Sequence, residues 1–383
     1  MTKANPARLI AGVPSENTAL FHRIRFAAGD PAAWIMRPDG RTVLIIRDIE
    51  AERARSEAIA DHVEVPADHA PPGGLSGDRE TATAQAVARC LEAMAPPEVL
   101  VDRSTPYVFV HQLLEAGLNV RYDPDLGVSD RRSKSGDELE ALQKAQSDTE
   151  LVMQEACELI GGATPDADGV LQHEHAPLTS ERVRQLIDAR LLAMGYSNPV
   201  SIVAGGCQGA DCHDPGTGPL RTGQPVIVDI FPRNKRTRYH GDCTRTVVNG
   251  PAPDHVVSMH AAVVEAKAAG ITAIRPGATG ESVHQATIEV IRARGFHAGL
   301  PPREAPGDWC GMVHGTGHGV GLQVHEPPLL DFKGPSLVVG DVLTVEPGLY
   351  STAIGGVRVE DMVCVTEDGC RNFNRLHEGL AWT

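Results

Sequence analysis

Four carboxylates in the second half of the chain stand at matched positions. The stretch Leu220-Arg-Thr-Gly223-Gln-Pro-Val-Ile-Val-Asp229 has a counterpart in Leu337-Val-Val-Gly340-Asp-Val-Leu-Thr-Val-Glu346. In both, a turn glycine precedes an apolar strand pattern that ends in an acid six residues later. A further acid follows each one, Asp242 thirteen residues after Asp229 and Glu360 fourteen after Glu346. That distance fits a hairpin returning to a neighbouring strand. Like charges cannot share a site unless something cationic neutralises them. Asp229 and Glu346 also end apolar runs, where an unpaired carboxylate is costly. A pair of hard divalent cations is the simplest solution.

Between the two acid pairs lies His314-Gly-Thr-Gly-His318-Gly-Val-Gly-Leu-Gln-Val-His325-Glu326-Pro. Spacings of four and seven residues put these histidines within reach of one site on several backbone geometries. Glycine lets the backbone approach a metal or substrate closely. Taken alone, the segment reads equally well as a glycine-rich surface loop. Beside the carboxylate repeat, a shared site is the better reading.

These side chains need elements to hold them. Two amphipathic stretches each end at a glycine followed by an aromatic residue, one from about Glu181 to Gly195-Tyr196 and one from Glu281 to Gly295-Phe296. Together with the acid-ending strands they predict a weak internal repeat, whose related halves would bring the four acids to one central place. Upstream, Ser135-Gly-Asp-Glu138 is a capping-box pattern that starts a helix. Leu139, Leu142, Leu151, Val152, Leu159 and Ile160 then recur with helical spacing. The polar run Ser129-Asp-Arg-Arg-Ser-Lys-Ser135 marks a domain boundary, giving residues 1–130 and 131–383. The first third reads as a small α/β unit. It has a hairpin of Ala33–Met36 and Thr42–Ile46 around a Pro-Asp-Gly turn. A loop over 67–78, a helix over 81–94 and a strand over 99–101 follow. It shows no catalytic constellation.

Composition narrows the partners. The chain has 383 residues, which suits two domains, each able to bury a full core. Its net charge of −15 argues against nucleic acid and against a polybasic membrane contact. The eight cysteines form no C-x-x-C pair, so a reducing cytoplasm is expected, and zinc binding by these cysteines is not. No apolar signal segment follows Met1, and no run reaches the length of a membrane span.

At this point the chain resembles a known family, the creatinase/aminopeptidase P/prolidase group of pita-bread metallopeptidases. The resemblance covers about residues 135 to 383. It rests on Asp229, Gly241-Asp242-Cys-Thr-Arg-Thr246, Gly317-His318-Gly, Val345-Glu346-Pro-Gly-Leu-Tyr350 and Gly356-Val-Arg-Val-Glu360-Asp, in the family's order. It implies an α+β fold: a pita-bread catalytic domain with a pseudo-twofold repeat, behind a smaller N-terminal α/β domain of the creatinase type. It implies two divalent ions, manganese first, with cobalt, zinc or iron as alternatives. Asp229 would chelate the first ion, Asp242 and Glu360 would bridge both, and His318 and Glu346 would complete the second. Glu346 would also be general base for a metal-activated water. His325, His213 and His314 would contact the substrate, and Arg358 would hold Glu360 or a substrate carboxylate. The implied activity is removal of an N-terminal residue from peptides, Xaa-Pro peptides above all, by a homodimer.

The sequence also departs from the family pattern. Ile230-Phe-Pro232 replaces the small residue expected after the first aspartate, and the following segment carries Arg233, Lys235, Arg236 and Arg238. A solvated basic hairpin tip is the favoured reading of that segment. Cys212, beside His213, reads as packing before it reads as a ligand or nucleophile. His240, His173 and His175 read as incidental. Two other functions stay open: the same fold acting on a non-peptide substrate as an amide hydrolase or lyase, and a pseudo-peptidase used as a binding module. Retention of all five ligands weighs against the last.

Overall fold

Alternating apolar side chains build the N-terminal sheet. In strand β1 (Ala7–Gly12), Leu9 and Ala11 enter one apolar cluster and Ile10 enters another. In β2 (Ala32–Met36), Ala33 and Ile35 join the first cluster and Trp34 the second. In β3 (Thr42–Ile46), Val43 and Ile45 are divided in the same way from Leu44 and Ile46. Successive strand residues face opposite sides, so this pattern demands cover on both faces. The helix Arg79–Met94 covers one face with Ala84, Val87 and Leu91. The helix Thr18–Ile24 brings Leu20 and Ile24 to the other. With β4 (His62–Glu64), β5 (Val99–Val101) and β6 (Val120–Tyr122), the strand order is β4-β3-β2-β1-β5-β6. The expected loop over 67–78 holds a short 3₁₀ turn, Pro66–His69, before Asp78 caps the helix by accepting from Thr81 N at 2.8 Å.

This is a computed structural model, and it describes residues 5–382. The chain divides into two units, Met1–Arg131 and Arg132–Thr383. Among the described residues no helix is long and apolar enough to cross a membrane.

In the second unit the helix Gly136–Gly162 starts at a reciprocal cap. Ser135 N donates to Glu138 Oε2 at 2.8 Å, and Glu138 N donates to Ser135 Oγ at 3.4 Å. The predicted repeat is present in the helices. Ser180–Ala193 and Gly280–Ala293 both start after a threonine N-cap, Thr179 and Thr279. Both are followed by a glycine at φ 86°, Gly195 and Gly295, in the left-handed region open to glycine. The repeat is present in the strands too. Pro225–Ile230 lies antiparallel between Ile202–Gly205 and Cys243–Val248. Val342–Val345 runs antiparallel to Asp361–Val365.

The pleat decides which way the acids point. Val226, Val228 and Ile230 enter the apolar cluster formed with the helices Gly136–Gly162 and Ser180–Ala193. Burying each aliphatic side chain contributes about 1.5–3 kcal/mol. Ile227 therefore belongs to the opposite face, where it meets Tyr350, and Asp229 shares that parity. In the second hairpin Leu343 and Val345 are likewise buried in a core cluster, leaving the opposite parity to Thr344 and Glu346. Glu360 N donates to Thr244 O at 3.1 Å, which joins the two hairpins.

Candidate metal centre

The strands deliver the acids from their ends. Asp229 is the penultimate residue of its strand, opposite Thr244, and Asp242 lies one residue before the partner strand. Glu346 follows Val345, whose register partner is Asp361, and Glu360 immediately precedes that strand. His318 is the central residue of the short strand Gly317–Gly319. Its Nε2 lies 3.3 Å from Glu346 Oε1 and 3.8 Å from Asp242 Oδ2. The ligand atoms of Asp242, His318 and Glu360 lie within 4.8 Å of one another, and all three residues are buried.

Close backbone packing makes this approach possible. A β-carbon on Gly241 would lie 2.2 Å from Thr149 Oγ1 and 2.7 Å from Ala145 O, on the helix Gly136–Gly162. That helix also clamps Asp242. Gln146 accepts from Asp242 N at 2.8 Å and donates to Asp242 O at 2.7 Å. A β-carbon on Gly317 would lie 2.0 Å from Thr344 O. The glycines at 317, 319 and 321 thus make room for neighbouring protein groups, Thr344, Glu326 and Pro327. Gly317 also lines the cavity over the acids.

Over the acids lies a cavity of about 370 Å³, whose walls include His213, Phe231, His314, His325 and Arg358. The His325 ring meets His318 edge-on, with centroids 4.2 Å apart. His213 is exposed. His314 Nε2 lies 2.7 Å from Tyr350 OH, and Arg358 Nη1 donates to the same hydroxyl at 2.9 Å. Arg358 Nη2 donates to Asp229 Oδ2 at 2.7 Å. Among the described residues, Asp229 is therefore the carboxylate partner of Arg358, where the sequence reading offered Glu360. Glu360 takes its hydrogen bond from Thr244 Oγ1 at 2.8 Å instead.

Electrostatically the acids are under-compensated. Burial, then the charges of Glu360 and Asp229, push the Asp242 carboxyl well above its ordinary range. Burial, then Glu346 and Asp229, do the same to Glu360. Burial lifts Glu346 to about 7 against the pull of Arg358, with Asp229 adding to the rise. Burial, reinforced by His325, lowers His318 to about 3, and burial, reinforced by Arg358, lowers His314 to about 4. Neutral imidazoles and converging acids are a ligand set awaiting cations. Among the described residues, Asp229 Oδ1 is moreover buried with no hydrogen-bond partner. The residues present fit a divalent metal centre.

The departures resolve differently from one another. Lys235 and Arg236 are exposed, as a solvated tip requires, but Arg238 is buried at φ 70°. Cys212 packs against a cluster of Ile202, Ala204, Ile227 and Tyr350, and it also lines the cavity. Burial lowers His240 to about 4, and His173 and His175 are not among the cavity-lining residues. Sequence reasoning missed Gln146, Thr244 and Tyr350. For Thr244 the signal was present, because a threonine two residues after Asp242 shares its face of an extended chain.

The chain is similar to known proteins in sequence and in fold. The model of metallopeptidase family M24 matches residues 140–367. A probable dipeptidase, PepE, of Mycobacterium tuberculosis is 34% identical over 253 residues, 65% of this chain and 60% of that protein. The Xaa-Pro dipeptidase of Pyrococcus furiosus is 32% identical over 162 residues, 42% of each chain. The chain thus spans about half the length of the curated relatives it matches. Solved structures match nearly throughout. The prolidase from Pyrococcus horikoshii superposes with TM-score 0.78 at 22% identity, over 98% of this chain and 95% of that one. The dipeptidase PepE from Mycobacterium ulcerans gives 0.76 at 26% identity, over 98% and 93%. The pita-bread fold expected from the motifs is therefore the fold observed. With the family model spanning more than half of the chain, the chain belongs to metallopeptidase family M24.

Proposed function

We propose that this protein is a metal-dependent exopeptidase that hydrolyses the bond after the N-terminal residue of short peptides, with Xaa-Pro peptides as its substrate class. The observation that carries this reading is the cluster of buried acids around His318 under a cavity of peptide-accommodating size. The names of relatives, probable dipeptidase and Xaa-Pro dipeptidase, support the substrate class.

In this reading Asp229, Asp242, His318, Glu346 and Glu360 hold two divalent ions, manganese first. Bound ions would supply Lewis acidity toward the scissile carbonyl and lower the pKa of the attacking water. Glu346 is suited to take that water's proton and return it to the leaving amine. His325 and His213, on the cavity wall, donate to the developing oxyanion. His314 and Arg358, both bonded to Tyr350, orient the substrate, and Arg358 also positions Asp229. Residues 1–130 form a separate N-terminal domain, and the active form is a cytoplasmic homodimer.

Amine release by manganese-loaded protein from paired peptides, Xaa-Pro-Yaa against Xaa-Ala-Yaa, with Xaa-Pro dipeptides alongside, tests the reading. Cleavage confined to the proline peptides, and lost in Asp242→Asn, is the expected result. Equal cleavage of both series would overturn the proline class. No cleavage of either, with metal bound, would overturn the peptidase itself.

A further inference from the structure

Two groups of histidine, cysteine and acid side chains gather outside the buried cluster, among the described residues. The first is Glu64, His69 and Cys90, in the N-terminal unit. It is already satisfied. His69 Nε2 lies 2.6 Å from Glu64 Oε2, Arg37 Nη2 lies 3.3 Å from Glu64 Oε1, and burial pushes the Cys90 thiol up to about 12.

The second group is Asp211, Cys212 and His213, whose ligand atoms also lie within 4.8 Å of one another. Here the donors are uncommitted. Among the described residues no hydrogen bond from another residue engages the Cys212 sulfur or the His213 ring. Asp211 uses Oδ1 to accept from His213 N at 2.9 Å, and no hydrogen bond engages Oδ2. Cys212 and His213 both line the cavity over the acid cluster.

Thiolate, imidazole and carboxylate together are a mixed set suited to zinc, with bonds of about 2.3, 2.0–2.1 and 2.0–2.2 Å. The buried cluster contains no sulfur and is oxygen-rich, so the two sites differ in softness. We propose that Asp211, Cys212 and His213 form a separate site for a thiophilic divalent ion such as zinc, and that its occupation blocks the cavity. Asp211 and His213 are exposed, so side-chain rotation suffices to close the three donors on an ion. Binding deprotonates the Cys212 thiol, and the proton leaves to solvent. The ion keeps a fourth position for water. It also commits the His213 ring, which the peptidase reading assigns to the oxyanion. The blocking half of the proposal rests on that reading, whereas the binding half does not.

Cobalt(II) titration of the metal-stripped, full-length protein tests it. The acid cluster offers no sulfur, so a thiolate-to-cobalt charge-transfer band reports only a cysteine site. The expected result is a band in the wild type that zinc abolishes and that is absent in Cys212→Ser. In His213→Gln the cobalt midpoint should rise by at least the roughly tenfold that loss of an outer partner costs. No band in the wild type at saturating cobalt, or a band that persists in Cys212→Ser, would overturn the site. A parallel assay follows peptide cleavage with added zinc. Inhibition relieved in Cys212→Ser supports blocking, while equal inhibition in both proteins overturns it. If no form cleaves peptides yet the band depends on Cys212, the peptidase reading and its blocking half fail while the metal site stands.

Discussion

Glu360 and Asp361 are adjacent, each is 2% exposed, and their environments are opposite. Burial, Glu346 and Asp229 push Glu360 upward. Burial pushes Asp361 upward as well, but Lys267 and Arg245 outweigh it and hold its carboxyl below the ordinary value. Arg245 Nη2 lies 3.0 Å from Asp361 Oδ1, and Lys267 bonds the other oxygen. Two buried acids one residue apart thus face opposite sides of the sheet. Behind the sheet the protein supplies its own cations. In front of it, among the described residues, four acids and His318 share the single guanidinium of Arg358, which is spent on Asp229. Burial alone does not mark a ligand. A buried acid without enough protein cations does.

The largest effect should come from the under-compensated side. Asp242→Asn and Glu360→Gln each remove a charge that no other side chain replaces. Both should abolish peptide cleavage and lower the manganese found per chain after dialysis, while the fold persists because a like-charge repulsion is relieved. Full activity in either variant would show that the front cluster is not the reaction centre.

Asp361→Asn should behave in the opposite way. It leaves Arg245, itself fully buried, without its carboxylate, and leaves Lys267 with only Glu378, at 3.0 Å. Breaking a buried pair by removing one partner costs about 3–5 kcal/mol. The urea midpoint should fall accordingly, with metal still bound to the folded fraction. Unchanged stability combined with loss of metal would erase the distinction between the two sides.

Proton linkage sharpens the same contrast. Glu346 is lifted from 4.5 to about 7, and Asp242 and Glu360 are also raised. For acids whose folded pKa lies above the unfolded one, the associated stability is complete below the unfolded value and is lost as pH rises through the folded value. The metal-free protein should therefore melt progressively lower from about pH 4.5 to about pH 7. Bound ions replace the protons, so the manganese-loaded protein should lose this slope. Parallel melting curves for the two forms across that range would contradict it.

Much of this centre was legible before any coordinates. Strand periodicity put Asp229 and Glu346 at strand ends, and the thirteen- and fourteen-residue returns placed Asp242 and Glu360 beside them. Local chemistry marked the helix limits, through Ser135 and Glu138 at one start and Gly195 and Gly295 past two ends. Contacts set by tertiary register were not legible. Gln146 reaches Asp242 across 96 residues, and Arg358 reaches Asp229 across 129. No local pattern encodes either, and several partners within reach were chemically equivalent. Arg245 did carry a signal. A lone cation in the fully buried strand Cys243–Val248 requires a buried counter-charge, and the candidate acids lay in the matching hairpin.

The smallest expected effect concerns Tyr350, which is bonded to both His314 and Arg358. Its hydroxyl lies 2.7 Å from His314 Nε2 and 2.9 Å from Arg358 Nη1. Tyr350→Phe keeps the ring, so packing against Ile202, Ala204 and Ile227 survives. What is lost is an acceptor for a buried guanidinium and a partner for a half-buried imidazole, worth about 1–3 kcal/mol. Arg358 keeps its bond to Asp229, so the ligands should stay in place and metal content should not change. The loss should therefore appear in KM, by roughly ten- to a hundredfold if substrate orientation takes most of it, with kcat less affected. A fall in metal content instead would mean that Tyr350 acts through Arg358 on Asp229. That would move this hydroxyl from the substrate side of the cavity to the metal side.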